Sequence, residues 1–324
     1  MNQIPYGLDP TLLKAAADFL DGGDDFLLSA HVNSDGDAVG ACLGLQRLLQ
    51  IRGKRATVVL SDLQDQYDFI PGWTGIKVAP QAHDGRRFSH VVVLDCPQLG
   101  RVGRVEAYMA EDAQVLNIDH HPDNSAFGHI NLVPDGASSS CEILYHLAVF
   151  MEIAFDQDLA EQLYSGIVYD TGSFRYSLAT ATTFAVAGQL VAYGARLDYI
   201  ARRLFSTKSF DEVKVMGRAI DSLELHFDQR VAVLHVGHED MRYGSADEVV
   251  NYGLMVDCVE LAVLLKEDAP SQYRISLRSL KADVQRIAAV FDGGGHAKAA
   301  GCRINGLQAD VKARLLAEIE KHLE

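Results

Sequence analysis

The chain has 324 residues, of which 48% are hydrophobic and 23% are charged, and its formal net charge is −15. Its length permits two domains with their own cores, and its ordinary globular composition argues against disorder. The acidic balance argues against a protein that tracks long nucleic acid, because such proteins neutralise many phosphates with Lys and Arg, whereas a short phosphorylated ligand remains compatible under salt screening.

Strands and helices are predicted to alternate in the first half of the chain. Continuous apolar runs, typical of a parallel sheet covered on both faces, predict strands at residues 26–32, 56–60, 89–95 and 114–119. Helical patterns begin at Asp9-Pro10 and after Asp37, and recur at residues 138–152 and 158–169. This alternation predicts a doubly wound α/β domain with a mainly parallel sheet.

The pattern changes in the second half. Residues 181–220 are helical in character, and residues 222–237 and 258–280 then alternate like hairpins, with turns at Asp228-Gln229 and within residues 266–271. A final amphipathic helix is predicted over residues 309–323. We place the domain boundary near residues 205–220 and assign residues 1–205 to the first domain with its connecting helices. Residues 206–324 are assigned to a smaller α/β domain.

The chain resembles a cytoplasmic protein. No apolar run reaches the roughly 18 residues that a membrane span needs, and the N-terminal MNQIPYGLDP lacks the basic and apolar regions of a secretory signal. The five cysteines are scattered, odd in number and form no CxxC pair, which is typical of reduced, buried residues: Cys42, Cys96, Cys141, Cys258 and Cys302. We therefore expect a cytoplasmic location.

Acids and histidines follow several predicted elements in the first half. The first strand ends around His31 and is followed by Asp35 and Asp37, and the third ends in Asp95. The fourth ends in Asp119, which His120 and His121 follow, and a later helix ends in Asp170. Taken singly, each has an ordinary explanation as a helix cap, a turn former or a buried core histidine. The carboxyl ends of parallel strands converge on one crevice, however, so these side chains are predicted to share one site.

Such a cluster needs compensating positive charge. Repulsion between uncompensated carboxylates at one sheet edge would destabilise the folded chain by several kcal/mol, and a pair of divalent cations removes that repulsion. Two metals about 3.5–4 Å apart would activate a water and clamp the leaving oxygen of a phosphoryl group. The pattern therefore favours a two-metal site for phosphoester hydrolysis.

Five motifs in order resemble those of the DHH phosphoesterase family. They are HVNSDGD (31–37), the strand end at Asp95, IDHHPDN (118–124), IVYDTGSF (167–174) and the glycine-rich FDGGGHAKAAG (291–301) of the associated C-terminal domain. The resemblance runs from about residue 25 to the C-terminus. Within the family, it is greatest to the bacterial bifunctional oligoribonuclease (nanoRNase) and 3′-phosphoadenosine 5′-phosphate (pAp) phosphatase group.

The resemblance implies roles for the clustered residues. One metal would be held by His31, Asp35 and Asp95, and a second by Asp37, Asp95, His120 and Asp170. His121 would face the scissile phosphate, and Asp119 would orient a ligand histidine. Mixed carboxylate and imidazole ligands suit Mn²⁺, with Mg²⁺ or Co²⁺ as alternatives, and the lack of a thiolate argues against structural zinc.

The second domain carries candidate substrate-binding residues. In the strand RISLRS (274–279), alternation places Arg274, Ser276 and Arg278 on one face. Gly293 to Gly295 lead into HAKAAG, which we interpret as a helix start whose free amides could hold an anion. The resemblance implies that Arg278 and His296 grip a substrate phosphate or terminal nucleotide. Supporting contacts are expected from Ser276, Gly294, Gly295 and Lys298.

Two residues depart from the family pattern. Ser34 stands where proline is common in the first motif, and we expect it to loosen the loop without removing a ligand. Asp292 stands where a fourth glycine often precedes GGGH, and a carboxylate near a phosphate pocket is unfavourable unless it points away.

The resemblance implies metal-dependent hydrolysis of oligoribonucleotides of a few residues to mononucleotides, and of pAp to AMP. The expected partners are such short RNAs or small phosphorylated nucleotides, without long duplex nucleic acid or a membrane, and a homodimer is compatible with the resemblance. One alternative is a phosphodiesterase for cyclic-di-AMP or its linear product pApA. A second, from another class, is a non-catalytic nucleotide sensor, against which the intact ligand motifs argue.

Overall fold

The computed structural model describes residues 8–79, 85–241 and 247–323. The chain divides after Thr207 into two compact units, each with a six-stranded sheet. Within the described ranges, every helix is too short or too polar to cross a membrane. The first seven residues, on which the expectation of no secretory signal depends, lie outside the described part.

The first unit contains a sheet whose strands all pair in parallel, in the order β3-β2-β1-β4-β5-β6. Its strands are β1 (Phe26–Ser29), β2 (Ala56–Leu60), β3 (Lys77–Val78), β4 (Phe88–Leu94), β5 (Met109–Ile118) and β6 (Ile130–Leu132). Its helices are α1 (Pro10–Gly22), α2 (Gly36–Ile51), α3 (Ser140–Phe150), α4 (Gln157–Asp170), α5 (Ala181–Ala192) and α6 (Leu197–Phe205). The predicted α/β class is confirmed.

The strand order places a topological switch point between β1 and β4. The chain runs outward from β1 through β2 to β3, and then returns to β4 on the other side of β1. In open parallel sheets, ligands bind beyond the carboxyl ends of the strands at such a point. The acids predicted to form a site follow β1, β4 and β5, and therefore lie at this edge.

The two faces of this sheet are covered differently. Leu28 and Val92 belong to a large apolar cluster with helices α1 to α5, whereas Leu27 and Val91 pack with Val102 and its neighbours in the 3₁₀ segment 99–108. Alternate residues of each strand thus enter different cores. Both faces are buried, which explains the continuous apolar runs of the strands.

Strand β1 ends earlier than predicted. It stops at Ser29 rather than at residue 32, because the amide of Val32 donates to the carbonyl of Arg101 (2.7 Å) and Asn33 has a φ of 57°. The chain therefore leaves the sheet before the first motif. Strand β5 instead begins at Met109, five residues before the prediction, and Met109 pairs with Phe88 across an irregularity in the register.

The second unit contains a mixed sheet in the order β11-β12-β10-β9-β8-β7, in which only β8 and β9 pair in parallel among the described strands. Its strands are β7 (Glu224–His226), β8 (Val231–Val236), β9 (Leu261–Ala269), β10 (Gln272–Ser279), β11 (Gly294–His296) and β12 (Ala299–Asn305). Its helices are α7 (Phe210–Asp221), α8 (His238–Met241), α9 (Val250–Gly253), α10 (Val284–Ala289) and α11 (Gln308–Glu320). Both predicted hairpins are present, although the second turn is tighter and lies at Pro270-Ser271.

The predicted helix start after Gly295 is wrong. Residues 294–296 form strand β11, which pairs with β12 by the matches Gly294–Gly301 and His296–Ala299. A Cβ on Gly293 would lie 2.3 Å from the carbonyl oxygen of Gly301, and Gly295 has a φ of 140°. The glycines therefore permit close strand approach in a hairpin, and their amides do not begin a helix.

Candidate metal and phosphoester site

Eight predicted residues of the first unit lie together at the carboxyl edge of its sheet. Their donor atoms fall into three groups, each with all atoms within 4.8 Å: His31, Asp35 and Asp95; Asp37, His120 and Asp170; and Asp95, Asp119, His120 and His121. Asp95 is the carboxylate common to two of these groups. Its oxygens lie 3.4 Å from His31 Nε2, 3.5 Å from His120 Nε2 and 3.6 Å from His121 Nδ1.

The backbone holds Asp95 at the centre of the cluster. It follows β4 directly with a φ of 49°, a left-handed conformation that Asp tolerates better than most residues. Its amide donates to the carbonyl of Ile118 at 2.9 Å, and the residue is 1% exposed. Burial opposes its ionisation, but hydrogen bonds from His120 and His31 hold the pKa of Asp95 below its usual range.

Asp35 and Asp37 begin helix α2 in different ways. Asp35 is the N-cap, and its Oδ1 accepts from the amides of Asp37 (3.0 Å) and Ala38 (3.1 Å). The ordinary capping explanation is therefore correct for one oxygen of Asp35. The other oxygen, Oδ2, lies 3.9 Å from His31 Nε2, so capping leaves it directed into the cluster.

Asp37 is enclosed by three helices. Its carboxylate accepts from the amides of Ser140 (2.7 Å) and Cys141 (3.0 Å) at the start of α3, where backbone donors and the helix dipole favour negative charge. In α4, a Cβ on Gly166 would lie 2.4 Å from Asp37 Oδ1, so only glycine leaves room for this carboxylate.

One ring nitrogen of His31 and one of His121 are held by neighbouring groups, and Nε2 of His120 faces a carboxylate. Nδ1 of His31 lies 2.8 Å from the carbonyl of Val32 and therefore donates, which leaves Nε2 as the atom facing Asp95. His120 Nε2 lies 3.0 Å from Asp170 Oδ2. His121 Nδ1 lies 2.7 Å from Asp119 Oδ1, so Nε2 is its remaining nitrogen.

The pKa values show that the cluster favours positive charge. Although burial disfavours the imidazolium forms, hydrogen bonds to Asp95 and Asp170 raise the pKa of His31 to about 9 and that of His120 to about 12. Burial and the charge of Asp95 raise the pKa of Asp35 to about 7 and also raise that of Asp37. Carboxylate and imidazole donors at this density fit divalent cations, whose charge offsets the same repulsion.

Several residues of the site were missed in the sequence. The amides of Ser140 and Cys141 hold Asp37, and Asn124 donates to Asp119 Oδ2 at 2.6 Å. Usable signals were present, because residues 138–140 are a serine run before an apolar helix, typical of an N-terminus, and Asn124 lies within the motif IDHHPDN.

The candidate residues of the second unit form a line across three strands. Arg278 of β10 lies opposite Ala299 of β12, and Ala299 lies opposite His296 of β11. In the same way, Ser276 of β10 lies opposite Gly301 of β12, and Gly301 lies opposite Gly294 of β11. Directly opposed residues share a face, so Ser276, Gly294 and His296 lie on the face of Arg278, whereas Gly295 is aligned with Ala300 and Leu277 of the opposite face. Lys298 lies in the turn and donates to the carbonyl of Lys281.

Arg274 and Arg278 share the predicted face but have different partners. Arg274 is bound to Asp268 (3.1 Å) and lies 3.5 Å from Asp247. Arg278 is half-buried and donates to the carbonyl of Leu277 at 3.0 Å, and in the described ranges no carboxylate is paired with it. Burial lowers the pKa of Arg278, and an anion bound beside the guanidinium would offset this effect.

Ser34 and Asp292, the two residues that depart from the family pattern, have different surroundings in the structure. The hydroxyl of Ser34 is buried and donates to the carbonyl of His31 at 2.7 Å, so Ser34 adds a hydrogen bond within the loop, and the expected loosening stays a prediction. Asp292 is exposed and has a φ of 55°, a conformation that the short polar side chain tolerates.

Two family models match the chain, one in each unit. The DHH family, N-terminal domain, matches residues 25–167, and the DHHA1 domain matches residues 211–324. The first match contains seven of the eight clustered residues, all except Asp170. The second contains Ser276, Arg278 and the glycine-rich hairpin.

Individual relatives match most of the chain. The bifunctional oligoribonuclease and PAP phosphatase NrnA of Thermus thermophilus is 29% identical over 91% of this chain and 89% of its own length. The cyclic-di-AMP phosphodiesterase PdeA of Listeria monocytogenes is 27% identical over 96% of this chain and 48% of its own length. The structure of an exopolyphosphatase-related protein from Bacteroides fragilis has a TM-score of 0.86 at 25% identity, covering 97% of this chain and 96% of that one.

Proposed function

Because the chain belongs to the DHH family and carries a DHHA1 domain after its DHH domain, we propose that it is a metal-dependent phosphoesterase for short oligoribonucleotides and pAp. Mononucleotides are the proposed products of the first activity and AMP of the second. The observation that carries this proposal is the group of buried carboxylates and imidazoles around Asp95. The likeness to the Thermus thermophilus relative supports the choice of substrates.

The clustered side chains would hold two divalent cations. The first would be bound by His31, Asp35 and Asp95, whose donor atoms form one group. The second would be bound by the group of Asp37, His120 and Asp170, with Asp95 added through its oxygen 3.5 Å from His120 Nε2. When bound, such cations activate water and stabilise the charge that develops on the phosphate oxygens. The mixture of carboxylate and imidazole donors favours Mn²⁺, with Mg²⁺ or Co²⁺ as alternatives.

His121 is the proposed catalytic residue beside the cations. Asp119 holds its Nδ1 at 2.7 Å and stabilises a charged ring, so Nε2 is the nitrogen left to contact the substrate. From Nε2, the ring would donate to a phosphate oxygen and deliver a proton to the leaving oxygen. Asp119 is 0% exposed, and this burial strengthens its hold on the ring.

Arg278 is the proposed anchor for a second phosphate or a terminal nucleotide. Its guanidinium is half-buried and can form the bidentate hydrogen bonds that phosphates favour. His296 and Ser276 lie on the same face, and Gly294, Gly295 and Lys298 are proposed to contribute to the same subsite. Lys298 would have to exchange its bond to the carbonyl of Lys281 for one to the ligand.

The function is tested by incubating the full chain with Mn²⁺ and end-labelled RNAs of increasing length, beside pAp, and following the products by chromatography. We expect the shortest RNAs and pAp to be hydrolysed fastest. Asp95→Asn should abolish both activities, whereas Asp112→Asn, the same change at an exposed position of β5, should leave them intact. Equal activity of Asp95→Asn and wild type would refute the proposal.

Cyclic-di-AMP is the second candidate substrate, and the likeness to the Listeria monocytogenes phosphodiesterase favours it. Cyclic-di-AMP and pApA therefore belong in the same assay. Turnover of either one that exceeds that of dinucleotides and pAp would replace the first proposal. Binding of these nucleotides without hydrolysis, equally in wild type and Asp95→Asn, would indicate a sensor.

We also propose the cytoplasm as the compartment in which the protein acts. All five cysteines are free in the structure, which supports a reducing environment. A homodimer remains a prediction from the resemblance, and sedimentation equilibrium of the full chain would test it.

A further inference from the structure

A side-chain amide is buried directly before the motif that contains His121. Asn117 of β5 is 0% exposed between Leu116 and Ile118, and burying such an amide without partners would cost roughly 2–7 kcal/mol. Its Nδ2 donates to the carbonyls of Val93 (3.1 Å) and Cys96 (3.3 Å). Cys96 directly follows Asp95, so Asn117 holds the loop that presents the shared carboxylate.

The oxygen of this amide accepts from a second asparagine. Asn124 Nδ2 lies 2.8 Å from Asn117 Oδ1 and 2.6 Å from Asp119 Oδ2. Asn124 Oδ1 accepts from the amide of Ala126 at 2.7 Å, which establishes that the nitrogen faces Asp119. The other oxygen of Asp119 holds His121, so Asn124 supports that carboxylate from behind.

We infer that Asn117 and Asn124 form an amide bridge that positions His121 relative to Asp95. The inference rests on the proposed function, in which His121 acts beside cations held by Asp95. His121 and Asp95 come from loops after two different strands, yet His121 Nδ1 lies 3.6 Å from Asp95 Oδ1. The bridge connects these loops through hydrogen bonds at each step, and both asparagines are positioning residues.

A double-mutant cycle tests the inference with the Mn²⁺-loaded full chain. Asn124→Leu keeps the size of the side chain and removes its donors. It should lower kcat by about 10–100-fold, the usual cost of losing such a partner, while KM changes less than about twofold. In a His121→Ala background, Asn124→Leu should lower kcat by less than about threefold, because no ring remains to be positioned. Asn124→Ser should recover part of the loss.

Asn131 provides a matched control. This asparagine of β6 exchanges hydrogen bonds with Gly128 (2.7 and 2.9 Å), and Asn131→Leu should leave kcat unchanged. Equal losses from Asn124→Leu in the wild-type and His121→Ala backgrounds would overturn the inference. So would an unchanged kcat in Asn124→Leu.

A second measurement separates this inference from the proposed function. If the wild-type chain hydrolyses none of the substrates, the proposed function fails, but the bridge can still be examined by long-range ¹H–¹⁵N NMR of the histidine rings in the Mg²⁺-loaded chain at fixed pH. We expect hydrogen on Nδ1 of His121 in wild type and a mixture of ring forms in Asn124→Leu. Identical ring spectra would overturn the bridge itself.

Discussion

Asp95 is the residue on which the other side chains of the site depend. It supplies oxygens to two groups of donors and lies within 3.6 Å of three imidazole rings. Its left-handed backbone would disfavour most side chains, and the surrounding hydrogen bonds maintain it. A local strain of this kind is typical of functional sites, where the position of one oxygen matters more than a low-energy backbone conformation.

Arg278 and Arg274 provide a matched test of phosphate binding in the DHHA1 domain. Arg278→Ala should raise KM roughly tenfold or more, since a hydrogen bond to a charged group is worth about 1.5–3 kcal/mol. Arg274→Ala should change KM less than about threefold, because Asp268 and Asp247 already neutralise that arginine. Steady-state kinetics on pAp measures both, and equal KM values for the two variants would contradict the assignment.

The clustered residues of the DHH domain could be predicted because each belongs to a short motif at an element end. The serine run at residues 138–140 indicates a helix start, but its carboxylate partner could not be predicted, and neither could the role of Asn117, because both depend on contacts between distant parts of the chain. Ser140, for example, binds a carboxylate 103 residues away. The hydrogen bond from Ser34 to the carbonyl of His31 is likewise visible only in the folded chain.

Helix α4 contributes to the site through Gly166, which has no side chain and so leaves room for the carboxylate of Asp37. Gly166→Ala would place a methyl group 2.4 Å from both Asp37 Oδ1 and Cys141 Sγ, and should destabilise the fold by about 1–3 kcal/mol. Gly188→Ala in α5 meets nothing within 4 Å and should stabilise by up to about 1 kcal/mol. Urea denaturation compares the two variants, and equal shifts of the same sign would show that Gly166 is not constrained by Asp37.

Helix α3 should make stability depend on pH through His146. Burial lowers the pKa of His146 from 6.5 to about 4, so the folded state resists its protonation. The stability contributed by the neutral ring is complete above the unfolded pKa and is lost as the pH falls toward the folded pKa. Between about pH 7 and pH 5, the free energy of unfolding of the wild type should fall by about 2 kcal/mol more than that of His146→Gln. Parallel pH profiles of the free energy of unfolding would contradict this effect.

The predicted elements were most accurate where periodicity was continuous and least accurate at glycines and element ends. Strand β2 has the predicted bounds, whereas β1 ends early because Val32 bonds to Arg101 instead of to the sheet. The helix expected after Gly295 is a strand, because its glycines permit close pairing with β12. Both errors come from tertiary hydrogen bonds that a local pattern does not contain.

The net charge of the whole chain should affect long and short substrates differently. At −15, the protein repels a long polyanion more than a dinucleotide, and salt screens that repulsion. The ratio of kcat/KM on a long RNA to that on a dinucleotide should therefore rise as monovalent salt is added at constant Mn²⁺. A ratio that falls with salt would indicate a basic track for long RNA.

Titration of the chain with Mn²⁺ by calorimetry measures whether the Asp95 carboxylate is shared by two cations. We expect two ions per chain for wild type and for the control Asp112→Asn. We expect Asp95→Asn to lose both tight sites, because Asp95 belongs to both proposed ligand sets. Uptake of no Mn²⁺ by the wild type, or of two ions by Asp95→Asn with unchanged affinity, would show that Asp95 is not a shared ligand.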